Sequence, residues 1–179
     1  MDAIHGLKGL KTLKMSENAM VSQLRFDVSR HFRMRELLAD QNKFQSLIVE
    51  RSALPTQKHQ ESQMKTLNLS CNHLGKYEGK IQGLSLLGSS LLDLNLSQNF
   101  LDSVSFCENE RNSLFGLSQL KTLNLSNNQI RHVKWSNQAP NISLKSLDLS
   151  YNRISDMLGV KMFEALVTLK VQANPFDQI

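Results

Sequence analysis

Cysteine is scarce in this chain: two residues, Cys71 and Cys107, among 179. They form no CxxC pair and are too few for the disulfide framework of a small secreted domain. That scarcity fits a reducing, cytoplasmic setting. Long apolar runs are missing as well. No stretch approaches the roughly 18 residues needed to cross a bilayer, so no membrane span is expected. The opening Met-Asp-Ala-Ile-His-Gly-Leu-Lys-Gly-Leu lacks a basic start followed by an apolar core, so no secretory leader is visible. A leader lost from a longer chain would reverse that compartment.

Catalytic motifs are equally sparse. The five histidines, His5, His31, His59, His73 and His132, show no i, i+4 pairing and no HExxH. No GxxxxGK[ST] or GxGxxG loop is present to cradle a phosphate. Cys71 and Cys107 fall at different places in their segments, which argues against a redox pair. The expectation is no cofactor, no bound metal and no enzymatic activity. Hydrophobic residues at 40% and charged residues at 21% are ordinary for a soluble globular protein. The net charge of +5 permits an acidic partner, an anionic surface or nucleic acid, and selects none of them.

What the chain has instead is repetition. Leu120-Lys-Thr-Leu-Asn-Leu-Ser-Asn-Asn-Gln-Ile130 reads L-x-x-L-x-L-x-x-N-x-L, and the pattern recurs in phase seven times. The other copies begin at Leu10, Met34 (the weakest), Met64, Leu91, Leu144 and Leu166. Their ninth positions are Asn18, Asn42, Asn72, Asn99, Asn128, Asn152 and Asn174, separated by 24, 30, 27, 29, 24 and 22 residues. One LxxL is a common accident; seven in-phase copies of a five-position pattern are not.

On these residues the chain resembles the leucine-rich repeat family over nearly its whole length, whose period is about 20–29 residues. The resemblance implies an α/β solenoid of about seven repeats in a single domain spanning 1–179. One short strand per repeat would join a parallel concave sheet, with helices, 3₁₀ turns or extended segments on the convex side. The mixed step lengths fit neither the long ribonuclease-inhibitor-like class nor the uniform short class, so the repeats are irregular. Plant-type L-x-G-x-I-P is absent.

Local physics agrees with a strand at the repeat's centre. Alternation in Leu123-Asn124-Leu125 sends the leucines to one face and the asparagine to the other. One such unit cannot bury its apolar face alone, so neighbours must stack. Between the strands, Val21, Leu24, Val28 and Phe32 have a helical spacing, and Ser155-Asp156 followed by Met157, Leu158, Phe163 and Leu166 reads as a capped helix. The polar stretch 55–63 and the segment Asn109–Ser113 read as mobile loops, and Gly79, Gly83 and Gly88 as turns.

The asparagine ladder reads as structural, its amides satisfying backbone groups where the chain leaves each strand. Residues expected on the concave side carry whatever binding specificity there is. The position after the first apolar residue of each repeat holds Lys11, Arg35, Lys65, Leu92, Lys121, Lys145 and Val167, five of them basic. Lys14 and Lys170 add to this face, and Glu17, Glu36, Asp40, Asp93 and Asp148 interrupt it. The column could dock an acidic protein surface; the same lysines are also a frequent form of this repeat. Asn68, Asn95 and Asn124, flanked by Ser70, Ser97 and Ser126, form a second, polar column. Tyr151 is the aromatic expected at the concave rim and the leading single anchor.

Asn68, Asn95, Asn124 and Asn141 each begin a glycosylation triplet, but the first three follow from the repeat itself. Trp135, one aromatic without a basic groove, is too little for nucleic-acid stacking, so nucleic acid is disfavoured. Nine residues precede the first repeat and five follow Asn174, leaving no room for dedicated caps. A segment of a longer repeat protein is therefore expected. The functional expectation is a scaffold that binds another protein on its concave face. The alternative is a targeting or regulatory segment of a larger enzyme or receptor.

Overall fold

The structure is a computed structural model that describes residues 7–52, 60–108, 110–134, 143–156 and 160–176. Seven three-residue strands, β1 (Thr12–Lys14), β3 (Glu36–Leu38), β5 (Thr66–Asn68), β7 (Asp93–Asn95), β9 (Thr122–Asn124), β11 (Ser146–Asp148) and β12 (Thr168–Lys170), make one parallel sheet in that order. Each strand coincides with the centre of one sequence repeat. The central leucines pair in register from Leu13 through Leu37, Leu67, Leu94, Leu123 and Leu147 to Leu169. The five inner ones are buried, whereas Leu169, on a strand with one neighbour, is 38% exposed.

The core lies behind this sheet. In the repeat of β9, Leu120, Leu123, Leu125 and Ile130 are all at most 1% exposed. Burying each leucine removes about 1.5–3 kcal/mol of unfavourable hydration, and each does so only because the adjacent repeat covers it.

The opposite side corrects the helical expectations. Val21–Asp27 is a strand, β2, followed in the next repeats by β4 (Lys43–Glu50) and β6 (Ile81–Gln82) in a second parallel sheet. A two-stranded parallel sheet continues that side with β8 (Ser103–Ser105) and β10 (His132–Lys134). The apolar residues buried from β2 onward are Leu24, Phe26 and Val28, spaced by two, with Asp27 buried among them, while Val21 is 61% exposed. Period two governs these apolar residues, and the helical spacing joins the exposed Val21 to the buried Leu24 and Val28. Near the C-terminus, Val160–Met162 forms a short 3₁₀ turn rather than a capped helix; Met157 and Leu158 lie outside the described residues. Phe163 is buried with its ring edge-on to Phe106, the centroids 5.1 Å apart.

The segment expected to be a mobile loop at 109–113 is pinned over its described residues. Asn112 is completely buried, its Oδ1 accepting the Ile81 N–H at 3.3 Å and its Nδ2 donating to the Ser103 carbonyl at 3.1 Å. Arg111 donates to the Gly79 carbonyl at 3.2 Å. Of the polar stretch 55–63, residues 55–59 lie outside the described residues. Its end is fixed, because Gln63 N–H donates to the Phe32 carbonyl at 3.0 Å and Ser62 Oγ accepts the Met64 N–H at 3.2 Å.

Candidate functional site

The asparagine ladder works as a set of repeat-to-repeat staples. Asn99 Nδ2 donates to Leu96 and Ser97 carbonyls in its own turn and to the Leu69 carbonyl of the preceding repeat, while its Oδ1 accepts the Leu74 N–H at 2.9 Å. Asn42, Asn72, Asn128, Asn152 and Asn174 repeat the arrangement. Asn18, in the first repeat, donates to its own turn through Met15 and Ser16. The residue before each asparagine carries the bend. Glu17, Gln41, Cys71, Gln98, Asn127, Tyr151 and Ala173 all have φ between 53° and 58°, although none is glycine. Holding an L-residue there costs about 1 kcal/mol, offset by the backbone ladder that passes through it, as in Tyr151 N–H to Gln172 O at 2.9 Å.

The solvent face of the seven-stranded sheet carries the proposed binding residues. Backbone bonds chain the basic column together. Arg35 N–H donates to Lys11 O at 2.7 Å, Lys65 to Arg35 at 2.8 Å, Leu92 to Lys65 at 2.9 Å, Lys121 to Leu92 at 2.8 Å and Lys145 to Lys121 at 2.9 Å. The column therefore follows one rim of the sheet strand by strand, with Leu92 in the place between Lys65 and Lys121. Lys11, Arg35, Lys65 and Lys145 are exposed and Lys121 half-buried. Among the described residues none of the five is in an ion pair, whereas Lys170 of the far strand pairs with Asp148 at 3.6 Å. Leu92 leaves an apolar gap between Lys65 and Lys121, which stand two strands apart, about 10 Å.

The polar column is less free than its composition suggests. Asn68 Oδ1 accepts both the N–H and the hydroxyl of Ser70, at 3.1 and 2.9 Å. Asn95 holds Ser97 and Asn124 holds Ser126 in the same way, and Asp148 serves Ser150. The side-chain oxygens are thus committed to shaping the turn, an internal role that also explains why N-x-S recurs. Only the Nδ2 groups remain for a partner, and that of Asn68 already reaches Asp40 at 3.2 Å. Asn141 and Trp135 lie outside the described residues.

Tyr151 is 56% exposed, as a rim aromatic should be. It stands on the rim opposite the lysines, six residues of chain beyond Lys145, up to about 20 Å away. One small contact cannot use both. A second exposed aromatic escaped the sequence reading. Tyr77, 73% exposed, sits in a turn whose Lys76 Nζ lies 4.9 Å from its ring centroid and 5.2 Å from that of Phe100. His73 meets Phe100 edge-on at 5.6 Å. Burial there, with Lys76 and Lys43 nearby, pushes the imidazole below its ordinary value of 6.5. Nothing in the repeat pattern marks these positions, since they lie in the descending segment where the chain is free to vary.

Cys71 and Cys107 are free thiols, and Cys71 Sγ lies 3.0 Å from Gln98 Oε1. Among the described residues there is no group of three or more His, Cys, Asp and Glu side chains placed to hold a metal ion. Among them, too, no helix is long and apolar enough to cross a membrane.

Comparison with known families agrees with this geometry. A leucine-rich repeat family model matches residues 119–138, the repeat of β9, and a second matches residues 141–156, the repeat of β11. No curated protein matches the chain. Repeats of this family are generally protein-interaction modules and are typically non-catalytic. With parallel strands in stacked sheets, an asparagine in each turn and two family matches on adjacent repeats, the chain carries leucine-rich repeats stacked as a solenoid.

Proposed function

We propose that this chain binds an acidic surface of another protein through the solvent face of its seven-stranded sheet. One observation carries the reading. Lys11, Arg35, Lys65, Lys121 and Lys145 are aligned along one rim by consecutive backbone hydrogen bonds, with no carboxylate partner among the described residues. A row of unneutralised cations on a rigid sheet raises the association rate of an acidic partner and fixes its orientation. The Nδ2 groups of Asn95 and Asn124 point the same interaction toward backbone carbonyls. Tyr151, on the other rim, contacts only a partner broad enough to cover the sheet.

Affinity capture with the wild type beside a Lys65→Ala, Lys121→Ala, Lys145→Ala triple variant tests this. Exposed pairs contribute about 0.2–1 kcal/mol each, so the triple variant should bind its partner about 3- to 160-fold more weakly. Partners retained equally by both proteins would sink the reading. Binding of RNA or DNA that falls steeply with salt would replace it with a nucleic-acid one.

A further inference from the structure

Beside the basic column lies an open recess of about 740 Å³, lined by Phe32, Arg35, Glu61, Ser62, Lys65 and Ser89, with Gln60, Gln63 and Ser90 completing its wall. Its two cations come from adjacent strands. Lys65 N–H donates to the Arg35 carbonyl at 2.8 Å, so the side chains leave the sheet one strand spacing apart, about 4.8 Å. Neither is paired with an acid among the described residues. Ser62 is only 4% exposed, and its Oγ accepts the Met64 N–H while its hydroxyl proton finds no acceptor among the described residues. The recess thus brings together a guanidinium fork and an ammonium, with the buried Ser62 in its wall, against a single carboxylate, Glu61.

We propose that this recess receives the phosphate of a phosphorylated side chain on the protein that docks along the basic column. The proposal rests on that docking and specifies what the partner must carry. Donor count selects phosphate over carboxylate. With Glu61 present the lining carries a net charge of about +1, which either anion meets, but a carboxylate offers only two oxygens to a guanidinium, an ammonium and a hydroxyl. A phosphomonoester carries about −1.5 to −2 at neutral pH and offers three acceptor oxygens. The Arg35 fork can take two of these in parallel, leaving the third for Lys65 or Ser62. Phe32, half-buried, supplies an apolar wall for the carbon stem.

The test titrates the intact chain with three degenerate peptide libraries, alike except for a fixed phosphoserine, serine or glutamate, read by fluorescence anisotropy. The phosphoserine library should bind about tenfold more tightly than either of the others. Arg35→Ala and Lys65→Ala should each erase most of that preference, while Glu61→Gln should tighten phosphoserine binding severalfold. The gain from Glu61→Gln cannot come from misfolding. Equal binding of the phosphoserine and serine libraries overturns the proposal, as does a glutamate library that binds as well as phosphoserine. A Lys121→Ala, Lys145→Ala variant lies outside the recess and separates the two ideas. If it weakens partner capture while the libraries show no preference, only the recess fails.

Discussion

Asn128 is fastened to Leu101 across a repeat boundary: its Oδ1 accepts the Leu101 N–H at 3.1 Å, and its Nδ2 donates to Leu96, in the same neighbouring repeat, at 3.0 Å. The same amide holds Leu125 and Ser126 in its own turn. One buried side chain therefore satisfies four backbone groups belonging to two repeats. Asn128→Ala strands them at once. The expected loss is about 3 kcal/mol, measured by urea unfolding, whereas Lys121→Ala from the same repeat should stay within about 0.5 kcal/mol. Comparable losses in the two variants would refute the division of this repeat into staple and surface.

Gly83 makes a sharper steric case. Its φ is 76°, and a Cβ there would stand 1.9 Å from the Val49 carbonyl oxygen of the neighbouring repeat's strand β4. Backbone, unlike a flexible side chain, cannot step aside without breaking the sheet it belongs to. Gly83→Ala should cost more than 3 kcal/mol, roughly, combining left-handed strain with overpacking. A midpoint of unfolding unchanged from wild type would show that β4 and β6 can separate freely.

Two groups give the stability a pH dependence of known sign. At Asp27, burial raises the carboxyl's pKa, but hydrogen bonds from the Ser52 hydroxyl and the Ser29 and Ser52 amides, with Arg30 nearby, outweigh it and hold the group below its ordinary 3.8. At His73 the folded value lies below 6.5. In both cases the unfolded chain takes up a proton at a pH where the folded chain still resists it. Stability is therefore complete above the unfolded value and falls as pH drops toward the folded one. For His73 the decline starts near pH 6.5, and for Asp27 near pH 3.8. Denaturation series should show the upper decline disappear in His73→Gln and the lower one in Asp27→Asn. A wild-type profile flat from pH 7 to 5 would contradict the His73 assignment.

The large sheet was legible because its constraints are written at fixed spacing. Leu123 and Leu125 must face inward, Asn128 must turn the chain, and the same demand returns every 22 to 30 residues. The opposite side has no such period. Val21, Leu24, Val28 and Phe32 mimic a helix, but a flanking strand was available to pair with β2 only after the next repeat had placed β4 beside it. That is tertiary information, absent from the window that suggested a helix. The basic column was legible too, since the repeat register alone aligns Lys65 with Lys121. Its neighbours Phe32, Ser62 and Ser89 were not, because they come from segments of unequal length that no repeat position anticipates.

Asn112 shows the same limit at a single residue. In sequence it belongs to a polar run; in the structure it is 0% exposed and joins the strand of one repeat to that of the next. Its φ of 54° is tolerated better by asparagine than by alanine. Asn112→Ala therefore loses two buried hydrogen bonds and adds strain, about 3 kcal/mol together. Asn112→Gly loses the same bonds but relieves the strain, so it should recover about 1 kcal/mol. Because repeat arrays open locally, hydrogen exchange is the discriminating measurement. The Ile81 amide should lose protection in both variants while that of Leu123 keeps it. Protection at Ile81 that survives Asn112→Ala would mean that the insertion merely lies over the repeats rather than joining them.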